Sequence, residues 1–145
     1  MRILVLGVGK QGSVLVKDLI ESHEVSEVIA GDIDIQKLRQ HIDKLASEKV
    51  RAKQIDVKDH AKLVKLMKGG FDVVANALPW TYSLDAAKAA IEARVNYVDL
   101  GPSPDVFQLD EEAKATGVTV IPSCGLDPGI DSVLEGYGAR KLDRV

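Results

Sequence analysis

Gly7-Val8-Gly9-Lys10-Gln11-Gly12 has the spacing G-x-G-x-x-G. That pattern carries chemistry only where it follows a strand and opens a helix. Here the apolar run Ile3–Leu6 precedes it, and a helical stretch from about Gln11 to Glu21 follows. In that setting Gly7 allows a tight turn. Gly9 lets the backbone approach a pyrophosphate, and Gly12 lets the helix pack closely on the strand. The free N–H groups and positive dipole end of the helix hold the anion, which puts Lys10 and Gln11 beside it. The bland alternative is a glycine-rich turn that binds nothing. Asp32 separates the two readings. It lies twenty residues after Gly12, at the end of the second apolar run. A carboxylate there meets the adenine-ribose hydroxyls of NAD and repels the 2′-phosphate of NADP. NAD is therefore the expected cofactor and NADP the less favoured one. Lys37 and Arg39 downstream either lie near a 2′-phosphate or, as expected, sit on the solvated face of the next helix. Asp34 is a rival for the ribose, or the N-cap of that helix. Asp56 follows the third strand and either lines the adenine pocket or caps a helix.

Asn76-Ala77-Leu78-Pro79 follows the fourth strand, beside the first, and is expected to line the nicotinamide side. Open α/β sheets bind ligands there, where the strand order reverses. The alternative is a polar turn ending a strand. Further stretches carry polar and aromatic groups: Trp80-Thr81-Tyr82, Asn96–Leu100 and Cys124–Ile130. All are expected near the carboxyl ends of strands four to six, converging on one cleft.

The elements that must position these residues are short and clearly punctuated. Strands are expected at Ile3–Leu6, Val28–Ala30, Ala52–Val57, Asp72–Ala75, Val95–Leu100 and Val118–Ile121. Between them apolar residues recur at helical spacing: Val14, Leu15, Leu19 and Ile20; Ile35, Leu38, Ile42 and Leu45; Leu63, Leu66 and Met67; Leu84, Ala87 and Ile91; Val106, Leu109 and Ala113. A last helix carries Ile130, Val133, Leu134 and Tyr137, with Asp127 as N-cap and Pro128 at its first position. Alternating strands and helices imply right-handed crossovers and a parallel sheet. The expected fold is α/β, a Rossmann-type doubly wound sheet of about six strands in the order 3-2-1-4-5-6.

Composition narrows the function. The chain has 145 residues and a net charge of −3, which fits one domain and argues against nucleic acid as the main partner. No apolar run reaches the roughly 18 residues of a membrane span. One cysteine, Cys124, rules out an internal disulfide framework and fits a reducing, cytoplasmic setting. His23, His41 and His60 are scattered and suggest neither a triad nor a metal site.

The Gly7/Gly9/Gly12 loop with Asp32, the Asn76–Pro79 turn, Asn96-Tyr97-Val98-Asp99-Leu100 and Cys124-Gly125-Leu126-Asp127-Pro128-Gly129 occur in this order along the whole chain. In this the sequence resembles the amino-terminal domain of the saccharopine dehydrogenase/reductase superfamily, lysine 6-dehydrogenase included. The resemblance implies hydride transfer between an amine-bearing carbon of an amino acid and a nicotinamide. A base must accept the amine proton. Tyr82, Asp99, Cys124 and Asp127 are the groups of suitable type. Asp99 anchors a substrate ammonium or caps the turn that follows it. Asp127 reads more readily as a helix cap, and Cys124 also reads as a small buried hydrophobe. Family members carry a second, substrate-binding domain and oligomerise through it. None follows residue 145 here, so the chain reads as a fragment that binds NAD and turns over poorly alone. The rival class is a stand-alone nucleotide-sensing domain of the kind that gates potassium transport, which needs no catalytic residues. A semialdehyde- or homoserine-type dehydrogenase shares only the first half.

Overall fold

The computed structural model describes residues 1–144. Its strands are β1 (Arg2–Leu6), β2 (Glu27–Asp32), β3 (Val50–Gln54), β4 (Val73–Asn76), β5 (Asn96–Asp99) and β6 (Val120–Ile121). Its helices are α1 (Lys10–Glu21), α2 (Ile35–Asp43), α3 (His60–Met67), α4 (Ser83–Ala93), α5 (Asp110–Thr116) and α6 (Ile130–Ala139). The strands form one sheet in the order β3-β2-β1-β4-β5-β6, every pair parallel. The chain reverses its winding between β1 and β4. That leaves a crevice at their carboxyl ends, as the expected fold requires.

Each face of the sheet has its own core. Alternation sends Leu4 and Leu6 of β1 to one side, with Leu63, Met67, Ala87 and Ile91 of α3 and α4. Ile3 and Val5 go to the other, with Val16 of α1 and Leu38 and Ile42 of α2. α2 and α3 start where short acidic side chains meet free N–H groups. Asp34 accepts from Lys37 N–H at 3.0 Å and caps α2. Asp59 accepts from Lys62 N–H at 3.1 Å and caps α3.

Four expectations need correction. Val14 does not face inward: it is 68% exposed, because α1 turns the Gly12/Val16 stripe to the sheet and Val14 lies across the helix from it. β3 runs from Val50 to Gln54, so Ile55–Val57 form the loop after it rather than its end. Val106 to Ala113 is not one helix. A 3-10 turn over Pro104–Leu109 leads into α5, starting with Val106 N–H bonded to Ser103 C=O at 3.1 Å. Finally, Asp127 does not cap the last helix. α6 opens at Ile130 with Gly129 in the cap position. Its first N–H groups, of Ile130 and Asp131, donate to the carbonyls of Gly125 and Leu126 at 3.0 and 3.1 Å. The Asp131 carboxylate accepts from Gly129 N–H at 2.9 Å. The backbone and Asp131 thus do the capping.

Candidate functional site

A cleft of about 400 Å³ opens at the carboxyl edge of the sheet over β1, β2 and β4. Its floor is the glycine loop. Gly7 has φ +81°, a left-handed conformation that a side chain would strain. A Cβ on Gly12 would lie 1.9 Å from the Gly7 carbonyl oxygen, so helix and loop touch backbone to backbone. A Cβ on Gly9 would meet nothing within 4 Å, because Gly9 faces the open cleft. α1 starts at Lys10, so the N–H groups of Lys10, Gln11 and Gly12 have no acceptor within the helix. Its first turn contains no acidic side chain to occupy them. Lys10 and Gln11 are exposed at the cleft's end rather than along its wall. The loop thus offers backbone N–H donors that could hold an anion.

Asp32 ends β2 and tethers that loop. One carboxylate oxygen accepts from Val8 N–H at 2.9 Å, the other from Asp34 N–H at 3.1 Å. Each oxygen keeps a lone pair for a further donor, such as a hydroxyl in the cleft. Asp34 is turned away as the α2 cap. Asp56 lines the cleft and does not cap α3, a role Asp59 fills. The Asp56 carboxylate instead accepts from Lys58 N–H at 3.0 Å and shapes the loop after β3.

Ala77, Leu78, Pro79 and Tyr82 form the opposite wall. Asn76 does not. It is fully buried behind them, with Nδ2 donating to the Asp99 carboxylate at 3.2 Å and Oδ1 accepting from Leu78 N–H at 3.4 Å. It holds the wall and does not form its surface.

Asp99 is also 0% exposed. Its carboxylate accepts from Tyr97 Oη at 2.9 Å, Gly101 N–H at 2.8 Å, Ser103 Oγ at 3.1 Å and Asn76 Nδ2. Among the described residues no Lys or Arg pairs with it; hydrogen-bond donors alone balance the charge. Burial, and then the adjacent Asp99 charge, push the Tyr97 hydroxyl well above the ordinary tyrosine pKa. An ammonium in the cleft cannot reach a carboxylate so enclosed. The backbone continues the network: Leu100 N–H donates to Asn76 C=O at 3.1 Å, and Cys124 N–H to Asp99 C=O at 2.7 Å. Cys124 itself is exposed, not a buried hydrophobe, and lies in the loop after β6 outside the cleft lining. Of the four groups of suitable type, Tyr82 alone lines the cleft, and Asp99, Cys124 and Asp127 do not. Among the described residues no cluster of His, Cys, Asp and Glu is arranged for a metal ion. No helix there is long and apolar enough to cross a membrane.

Residues 3–121 match the family model described as the saccharopine dehydrogenase NADP binding domain. The chain belongs to this family. A saccharopine dehydrogenase [NADP(+), L-glutamate-forming] from Saccharomyces cerevisiae is 33% identical over 66% of the chain and 21% of its own length. Carboxynorspermidine synthase of Vibrio cholerae is 28% identical over 98% of the chain and 40% of its own length. The solved apo saccharopine dehydrogenase (L-Glu forming) from Saccharomyces cerevisiae superposes with a TM-score of 0.85, at 26% identity, over 97% of this chain and 31% of that one. The chain thus spans well under half the length of these relatives. Membership makes this chain a nicotinamide-dinucleotide domain of the saccharopine dehydrogenase family.

Sequence reasoning missed part of the cleft. Gly31, Ile33, Ile55, Val57 and Lys58 line it as well. Ile33 gave a signal: a large apolar residue directly after the strand-end carboxylate, 63% exposed here. With Ile55 and Val57 it offers the flat apolar surface an adenine needs.

Proposed function

We propose that the chain is the cofactor half of an amine dehydrogenase, moving hydride between an amine-bearing carbon of an amino acid and NAD. One observation carries this reading: an empty-faced Gly9 beside a helix N-terminus, with a strand-end carboxylate, at the point where the sheet reverses its winding. The cofactor supplies the redox step, and the protein binds and orients it. Gly7, Gly9, Gly12 and the amides of Lys10 and Gln11 take the pyrophosphate. Asp32 takes the adenine-ribose hydroxyls. Asp56 borders the adenine side, and Ala77 and Pro79 the nicotinamide side. Tyr82 Oη is the group best placed to take up the amine proton or to orient the amine. Cys124 borders the substrate from the β6 loop. Asp99 acts through Asn76, as the anchor of the nicotinamide wall.

The substrate is an amino acid of the lysine or saccharopine type, as in lysine 6-dehydrogenase. A second domain supplies the rest of its pocket in a cytoplasmic homo-oligomer. The reading of NAD over NADP rests on Asp32, whose free lone pairs face the cleft. The family's NADP-binding domains and the NADP(+)-dependent yeast relative support the opposite preference. Dissociation constants for NADH and NADPH, measured by nicotinamide fluorescence, decide between them. NADH binding at least about tenfold tighter, with the ratio collapsing in Asp32→Ser, is expected. Equal or tighter NADPH binding by the parent chain contradicts the preference.

A further inference from the structure

Among the described residues Lys58 is the sole cation that lines the cleft, which the carboxylates Asp32 and Asp56 also line. It follows β3, whereas Tyr82 follows β4 on the other side of the crevice. Yet Lys58 Nζ stands 5.9 Å from the centroid of the Tyr82 ring. The two residues precede α3 and α4, which pack side by side on one face of the sheet, and both line the cleft whose floor is the glycine loop.

The turn that projects Lys58 is fixed from both sides. Its N–H donates to Asp56 Oδ1 at 3.0 Å. The next residue, Asp59, caps α3 and forms an ion pair with Lys62 at 2.6 Å. Asp59 is thereby committed elsewhere. Among the described residues no carboxylate lies within ion-pairing distance of Lys58. Its charge is held by a distant ring face alone, a weak contact at an exposed site.

We propose that Lys58 is the counter-charge for the cofactor's pyrophosphate, closing over it from the β3 side while the glycine-loop amides hold it from below. This rests on the dinucleotide reading of the cleft. A pyrophosphate carries two negative charges, and backbone N–H groups supply only partial positive charge to them. A lysine in charge-assisted contact supplies the remainder. The approach of the ammonium to the Tyr82 ring, on the wall opposite Asp32, assigns it to the pyrophosphate and not to a 2′-phosphate beside Asp32 and Ile33.

The test uses Lys58→Met, which keeps the stem and removes the charge, with Lys58→Arg as the rescue. Lys58 is exposed, so neither variant disturbs the core. Adenosine, ADP-ribose, NAD and NADP compete with NADH fluorescence on the 145-residue chain at low and moderate salt. The expected result is a loss of about tenfold for ADP-ribose, NAD and NADP alike in Lys58→Met. Adenosine stays within about twofold, Lys58→Arg restores most of the loss, and the salt dependence of NADH binding becomes shallower. Equal weakening of adenosine, or unchanged NAD binding, overturns the assignment. A loss confined to NADP also overturns it, by placing Lys58 on a 2′-phosphate. A parent chain that binds no dinucleotide removes the cleft reading itself, a failure seen before any variant is compared.

Discussion

Gly9 and Gly12 stand three residues apart in one motif, yet the structure gives them opposite roles, and alanine at each position separates them. At Gly12 the added Cβ would lie 1.9 Å from the Gly7 carbonyl oxygen, a backbone atom that cannot rotate away. α1 must shift off β1, an overpacking cost of about 1–3 kcal/mol or more. For a chain of 145 residues each kcal/mol lowers Tm by roughly 3 °C. Gly12→Ala is therefore expected to melt about 3–10 °C below the parent. At Gly9 the added Cβ meets nothing within 4 Å, and φ is −78°, which alanine adopts freely. The lost preference for glycine at a helix cap and the reduced freedom of the unfolded chain are both about 1 kcal/mol or less and opposed in sign. The Tm of Gly9→Ala stays within about 3 °C of the parent. Its methyl group, however, occupies the approach path of the pyrophosphate, so its NADH dissociation constant rises at least about tenfold. Circular dichroism melts and NADH fluorescence titrations of both variants decide the matter. An unchanged Tm for Gly12→Ala, or NADH affinity within twofold of the parent for Gly9→Ala, refutes the reasoning.

The buried network makes two further predictions. Tyr97 has its pKa raised by burial and by Asp99, whereas in the unfolded chain it ionises near its ordinary 10.0. The unfolded state therefore loses the proton first. The contribution of Tyr97 to stability is complete below pH 10 and declines above it, by up to about 1.4 kcal/mol per pH unit. Urea unfolding at pH 9 and pH 11 should show this decline, and Tyr97→Phe should lessen it; an identical decline in the variant contradicts the assignment. Asp99→Asn replaces an acceptor oxygen by a donor facing N–H and O–H groups, and leaves at least one of them unsatisfied at a cost of about 1–3 kcal/mol. A melt unchanged from the parent would show that the carboxylate is not held as described.

The sheet order was legible because the strands are short, β1, β2, β4 and β5 end at or just before glycine, asparagine or aspartate, and parallel crossovers leave few arrangements. The glycine loop and Asp32 were legible because their roles are backbone roles at fixed spacing. What sequence could not show was which polar groups face the cleft and which face each other. Asn76 and Asp99 look alike in one dimension to Asp32 and Asp56, all four at or just beyond strand ends. The first two point into a shared interior of Tyr97, Ser83 and Ser103, and only cross-strand register, with Asn76 beside Asp99, reveals it. Asp127 failed as a cap for a related reason: the Gly125–Gly129 loop folds back to offer its own carbonyls to α6. Val14 failed because Val14, Leu15 and Val16 are consecutive, and apolar character alone does not say which of them faces the sheet.

The central claim is that this cleft holds a nicotinamide dinucleotide between the glycine loop and the Ala77–Tyr82 wall. The direct measurement is a 15N-resolved amide spectrum of the chain titrated with NADH. The account predicts saturable shifts concentrated at Gly7–Gly12, Gly31–Asp34, Asp56–Lys58 and Ala77–Tyr82. Absence of saturable shifts, or shifts centred on the distant groove between α5 and β6, would contradict it.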